Sequence, residues 1–358
     1  MNILIIRVMT AVPVYLLAGL AIQAQNSSRL PALPAPMSVP QPGPATEGAY
    51  APQPIIAGGV VIPLFPPDSP FLKKDRVHEA EKYNMSKVVP GRISSIVNIH
   101  NPSIEFHPVE GGLNTGACVI LVAGGGHRTL NVAGESADFV PFFYNYGVNT
   151  VILRNRLRAD GYVAEVDAVN DAQQAVRMVR AYASEWKIDP NKIGIMGFSA
   201  GAELSAPAAV LYEEFDKKNN GPNDPLAGIS SRPDFTGIIY PGPSPFAKNR
   251  TAPAIPANVP PAFLVSAASG DRVHAVWAME YFNAMLAKSV PNIELHLYGN
   301  GPHAGGLTDR LNTPFGTWQI RFIDWFRDLG FLQKPGVPTK AALDVAAYVA
   351  KPPAVARP

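Results

Sequence analysis

From Gly59 to Leu332 the chain alternates between compact apolar runs and longer amphipathic stretches. Strands are predicted at Val60 to Leu64, Ser95 to Phe106, Ala117 to Ala123, Thr150 to Arg154, Lys192 to Met196, Phe235 to Tyr240, Ala262 to Ala267 and Ile293 to Tyr298. Several of the later runs are continuously apolar, as parallel strands covered on both faces must be. Between them, Asp167 to Trp186 carries Ala172, Ala175, Val176, Val179, Ala183 and Trp186 as one stripe at helical spacing. Val276 to Lys288 and Thr317 to Leu329 read as further helices. Strand and helix in turn predict one doubly wound α/β domain, a mostly parallel sheet of about eight strands with helices on both faces.

The flanks break this rhythm. Arg7 precedes an uncharged apolar run from Val8 to Ile22 and then Gln23-Ala24-Gln25, the outline of a signal peptide over residues 1–24, and export is expected. The run is short for a membrane anchor, which needs about 20 apolar residues. Residues 25–58 are rich in Pro, Ala, Gly and Ser and read as an extended linker. The domain is expected over 59–334, followed by a Pro-rich peripheral tail over 335–358 with at most a turn or two of helix in Ala341 to Ala350.

Composition narrows the function. Of 358 residues, 47% are hydrophobic and 16% charged, and the net charge is only +2. No Lys/Arg block stands out, so neither nucleic acid nor an acidic membrane surface is indicated, and small neutral ligands are the default. The single cysteine, Cys118, lies in an apolar run and reads as a buried small hydrophobe. No metal-ligand pattern is present: His78-Glu79 lacks a second histidine four residues after the first, and there is no CxxC pair. Neither a metal nor a cofactor is expected.

Candidate chemistry begins at Lys192 to Ser205, KIGIMGFSAGAELS. An apolar strand runs into Gly197-Phe198-Ser199-Ala200-Gly201 and then an alanine-rich helix, the context a G-x-S-x-G nucleophile elbow requires. A serine hydroxyl needs a base, itself oriented by a carboxylate, and in such folds reacting groups collect at the carboxyl ends of strands. Asp271 follows Ala262 to Ala267, and His303 follows Ile293 to Tyr298, each just past its own strand. His296 is the rival base, but it lies in mid-strand beside Glu294 and Tyr298 and reads as structural. The strand Ala117 to Ala123 ends in Gly124-Gly125-Gly126-His127, whose amides, with that of Ala200, would make an oxyanion hole. The same loop does not supply G-x-G-x-x-G, because Thr129 stands at the third glycine position.

These motifs resemble the α/β-hydrolase superfamily from about Val60 to Leu332. Within it they are similar to the bacterial acetylxylan-esterase and feruloyl-esterase-like group related to hormone-sensitive lipase. The stretches that carry the resemblance are VIPLFPPDSP, VILVAGGGHRTL, GVNTVILRNRL, DAQQAVRMVRAYASEWKIDPNKIGIMGFSAGAEL, SGDRVHAVWAMEYFNAML and IELHLYGNGPHAGG. The resemblance implies Ser199 as nucleophile, His303 as base, Asp271 as its orienter, and Gly125, Gly126 and Ala200 as oxyanion donors. It implies a serine ester hydrolase acting on short-chain, acetyl-type esters, among which acetylated xylan or other esterified plant carbohydrate is a candidate. A peptidase or lactonase with the same triad, or a noncatalytic binding protein of this fold, are the alternatives.

Substrate choice is less legible. His127, Arg128, Tyr240, His274 and Trp277 are placed to line the acyl or alcohol pocket. Arg154, Arg156 and Arg158 alternate at a strand end, where pairing with Asp160, Glu165 or Asp167 at a solvated edge competes with binding an acidic sugar. Glu213 to Asp234 and Ser244 to Pro260 are irregular stretches placed to overhang the site. Oligomeric state is not readable from the sequence.

Overall fold

The computed structural model describes residues 33–34 and 48–351. The expected signal peptide at 1–24 lies outside the described residues, as does most of the linker. In chain order the strands are β1 (Val60–Pro63), β2 (Lys82–Met85), β3 (Ile93–Val97), β4 (Ser103–His107), β5 (Cys118–Val122), β6 (Asn149–Arg154), β7 (Ile193–Phe198), β8 (Thr236–Ile239), β9 (Ala262–Ser269) and β10 (Glu294–Asn300). The helices are α1 (Phe139–Tyr144), α2 (Val169–Ala181), α3 (Ala202–Val210), α4 (Tyr212–Lys218), α5 (Arg272–Ala287), α6 (Trp318–Asp328) and α7 (Lys340–Val349). No helix among the described residues is long and apolar enough to cross a membrane.

The 8-stranded sheet has the order β1-β4-β6-β5-β7-β8-β9-β10. β1, β4 and β6 pair antiparallel, and every pairing from β6 through β5 to β10 is parallel. The alternation of side chains explains why β5 is apolar throughout. Cys118, Ile120 and Val122 face one layer with Ala172, Val176 and Val179 of α2, while Val119 and Leu121 face Phe139, Phe143, Phe322 and Phe326 of α1 and α6. Burial pushes the Cys118 thiol pKa upward, so this side chain acts as core packing.

The run Ser95 to Phe106 does not form one strand. Asn98 adopts a left-handed φ of 62°, and Pro102 offers no amide to a ladder, so the chain turns between β3 and β4. β3 instead pairs with β2 in a separate two-stranded sheet. The tail expected to be peripheral also differs: α7 is capped by Thr339 and buries Ala341 and Val345 against the body. The Lys192 ammonium helps hold the approach to it, donating to the carbonyls of Gln333 and Lys334 at 2.8 and 3.1 Å.

Two further expectations are corrected by burial. Arg154 pairs with Glu105 at 2.6 Å and Arg156 with Asp171 at 2.7 Å, both inside the protein; Arg156 also meets its expected partner Asp167 at 3.4 Å, and Arg158 meets Glu165 at an exposed edge. The stretch Glu213 to Asp234 does not overhang the carboxyl ends of the strands. Arg177 and Arg180 of α2 donate to the carbonyls of Ile229 and Arg232, and Asp234 is bonded to Ile193 at the start of β7. That places the end of the stretch at the amino edge of the sheet.

Candidate active site

Ser199 follows β7 directly and has a φ of 51°, a left-handed conformation that is costly for a residue with a Cβ. Its neighbours make the turn sterically possible. A Cβ at Gly197 would collide with Ser205 and the Gly201 carbonyl, and one at Gly201 with the Val122 carbonyl. The turn thus aims the Ser199 hydroxyl out at the carboxyl edge while α3 packs back on the sheet.

β9 and β10 deliver its partners. His303 Nε2 lies 2.9 Å from Ser199 Oγ, and His303 Nδ1 lies 3.0 Å from Asp271 Oδ2. Asp271 is 5% exposed, whereas the His303 side chain is 33% exposed, so the line runs from a buried carboxylate to an accessible hydroxyl. The other oxygen of Asp271, Oδ1, is bonded by Nδ1 of His274, one turn into α5. Burial pushes the Asp271 carboxyl up, but the hydrogen bonds and charges of His274 and His303 outweigh it and hold the group below its ordinary value. The two imidazoles stack, with centroids 3.7 Å apart and planes 19° from parallel.

The glycine loop is braced from beneath. Gly124 donates its amide to Glu135 Oε2 at 2.8 Å, and Glu135 Oε1 accepts the Tyr240 hydroxyl at 3.0 Å. Tyr240 in turn accepts the Gly306 amide at 3.2 Å, which ties the loop carrying His303 to the same brace. Burial pushes the Glu135 carboxyl and the Tyr240 phenol above their ordinary values, and the adjacent Glu135 carboxylate raises Tyr240 further. The Gly124 amide is thus engaged by Glu135, while Ala200 lies in the first turn after β7, where amides have no intrahelical partner.

The expected pocket residues separate into different roles. Tyr240 is fully buried and makes a T-shaped contact with the His303 ring, centroids 5.4 Å apart, so it braces the site from behind. His127 is buried with Nε2 3.5 Å from Glu203, and Arg128 is exposed beside it. Trp277 is half-buried and meets the His274 ring edge-on at 5.1 Å. His296 bonds Glu294 at 2.6 Å on β10, as expected of a structural histidine. Glu135 is not singled out by the sequence; it lies in Asn131-Val132-Ala133-Gly134-Glu135-Ser136-Ala137-Asp138, where nothing sets it apart from Asp138.

Asp271, His274 and His303 also form a cluster of potential metal ligands, their donor atoms within 4.8 Å of one another. The nearly parallel rings direct their Nδ1 atoms to two different oxygens of one carboxylate rather than to a common point. This geometry suits a shared hydrogen-bond network better than a coordination sphere.

Comparison with known proteins agrees with this architecture. The family model described as BD-FAE matches residues 108–234, a stretch that includes the glycine loop and Ser199 and ends before Asp271 and His303. An acetylxylan esterase of Xylanibacter ruminicola is 25% identical over 260 residues, 65% of this chain, and the chain spans about half of that relative's length, 48%. Among solved structures, the acetyl ester-xyloside bifunctional hydrolase from Caldicellulosiruptor lactoaceticus aligns with a TM-score of 0.59 at 24% identity, covering 76% of this chain and 97% of that one. MGS-M1, an alpha/beta hydrolase enzyme from a Medee basin deep-sea metagenome library, aligns with a TM-score of 0.50 at 17% identity, covering 70% and 98%. The chain therefore matches the BD-FAE family model over residues 108–234 and has the α/β-hydrolase fold.

Proposed function

We propose that this chain is a carboxylic ester hydrolase that works through an acyl-enzyme on Ser199, with acetyl esters of xylan or other esterified plant carbohydrate as its substrates. The observation that carries the reading is the line Ser199 Oγ to His303 Nε2, 2.9 Å, and His303 Nδ1 to Asp271 Oδ2, 3.0 Å. In this reading Ser199 attacks the ester carbonyl as His303 takes its proton, and Asp271 stabilises the imidazolium that forms. The amides of Gly125, Gly126 and Ala200 hold the oxyanion, each such donor being worth ~2.7–4 kcal/mol of barrier. Collapse expels the alcohol with the proton from His303. Water, deprotonated by the same histidine, then cleaves the acyl-enzyme to the free acid.

The acyl preference rests on the acetyl esters named in the descriptions of the Xylanibacter and Caldicellulosiruptor proteins. The accessible His303 suits an ester presented on a bulky carbohydrate. Export through residues 1–24 would bring the enzyme to such a polymer. A panel of p-nitrophenyl acetate, butyrate and octanoate, acetylated xylan and methyl ferulate tests the reading. Acetate and acetylated xylan should be hydrolysed fastest, and pure folded protein inert on every ester would overturn it.

A further inference from the structure

We propose that His274 is a positioning residue for the reaction, the second imidazole on the Asp271 carboxylate, which fixes the orientation of that carboxylate toward His303 and, when it binds a proton, shuts the site off. The proposal rests on the esterase reading above. Its basis is the paired geometry: each oxygen of Asp271 receives one imidazole Nδ1, from His274 on Oδ1 and from His303 on Oδ2. Only His303 reaches Ser199. A carboxylate with one oxygen free rotates about its χ2 bond, since such terminal torsions are broad. With both oxygens held it presents Oδ2 to His303 at a fixed angle.

His274 is itself held in place. It lies on α5, which Asp271 N-caps, so both partners of the hydrogen bond share one rigid element. Trp277, one turn on, packs against its ring in a T-shaped contact, and the His303 ring covers one face. Its side chain is 19% exposed, enough to exchange protons with solvent. The titratable and charged groups around the pair are Asp271 beneath both rings, Arg272 on the exposed side of α5, Tyr240 against His303, and Glu135 behind Tyr240.

The charge consequence follows from the 3.7 Å stacking. A proton on His274 puts a positive charge against the ring that must itself become an imidazolium in the transition state, and like charges at that distance disfavour it. The hydrogen bonds and charges of both imidazoles outweigh the effect of burial and hold the Asp271 carboxyl below its ordinary value.

Three substitutions separate the roles in the full chain. His274→Asn places a side-chain amide donor near the position of Nδ1 but removes the ring and its charge, His274→Phe keeps a ring without a donor, and His274→Ala removes both. With p-nitrophenyl acetate, kcat of the Phe and Ala variants should fall about tenfold at unchanged KM, the worth of one hydrogen bond to a charged group, while Asn stays within about threefold of wild type. The acid limb of log kcat/KM against pH should steepen toward a slope of two in the wild type and remain at one in His274→Asn. Low-field proton NMR of the same proteins needs no substrate. It should show two Asp271-bound Nδ1–H signals in the wild type and one in His274→Phe, and this arm stands even if no ester is hydrolysed. An Asn variant as impaired as Ala, a Phe variant with wild-type kcat, a wild-type acid limb of slope one throughout, or a Phe variant that keeps both low-field signals would each overturn the proposal.

Discussion

The Tyr240 hydroxyl donates to Glu135 at 3.0 Å and accepts the Gly306 amide at 3.2 Å, so one buried phenol joins the support of the glycine loop to the loop that carries His303. Removing that oxygen in Tyr240→Phe leaves Glu135 Oε1 and the Gly306 amide without their partner in a buried setting. A loss of about 1–3 kcal/mol of stability is expected, read as a lowered denaturant midpoint at an unchanged slope. Because both loops loosen, kcat should fall with little change in KM.

The glycine loop distinguishes close approach from conformational strain. A Cβ at Gly125, whose φ is 129°, would strike the Thr129 carbonyl, whereas one at Gly126, with φ 63°, meets open space. Gly125→Ala should disrupt the loop and abolish hydrolysis. Gly126→Ala should fold at a cost of about 1–2 kcal/mol for a left-handed backbone. Thermal melts alongside kcat for the two variants check this order.

In the proposed mechanism Asp271→Asn removes the charge that stabilises the imidazolium, and kcat should fall by about four orders of magnitude while the protein stays folded. Stability should respond to pH with a definite sign. The folded-state value of Asp271 lies below its ordinary value of 3.8, so its contribution is present above that pH and is lost as pH falls through the lower folded-state value. Unfolding free energy measured between neutral and strongly acid pH should therefore drop more steeply in the wild type than in Asp271→Asn.

Local patterns made the frame of this molecule legible. β5 and β7 are apolar runs that only a doubly covered parallel strand explains, the α2 stripe sits at helical spacing, and Ser199, Asp271 and His303 each follow a strand that ends at the same edge. What was not legible depends on partners distant in sequence. The split between β3 and β4 turns on a left-handed Asn98 and the choice of β2 as partner, which no periodicity records. Arg154 and Arg156 looked like edge residues because their partners Glu105 and Asp171 become buried only once β4 and α2 pack around them. His274 looked like a pocket residue because it follows Asp271 just past a strand end, but that placement does not say whether a side chain turns to substrate or to its neighbour. Glu135 could be understood only when Gly124 and Tyr240 were brought against it.

The central claim is that Ser199 is the nucleophile of an acyl-transfer reaction, and covalent capture tests it most directly. The full-length protein, treated with a p-nitrophenyl phosphonate and digested, should carry one phosphonyl group on the peptide containing Ser199, with parallel loss of p-nitrophenyl acetate hydrolysis. Ser199→Ala should take up none and hydrolyse about 10⁶-fold more slowly, as loss of a triad nucleophile does. Labelling of another residue, or hydrolysis that survives Ser199→Ala, would contradict the account.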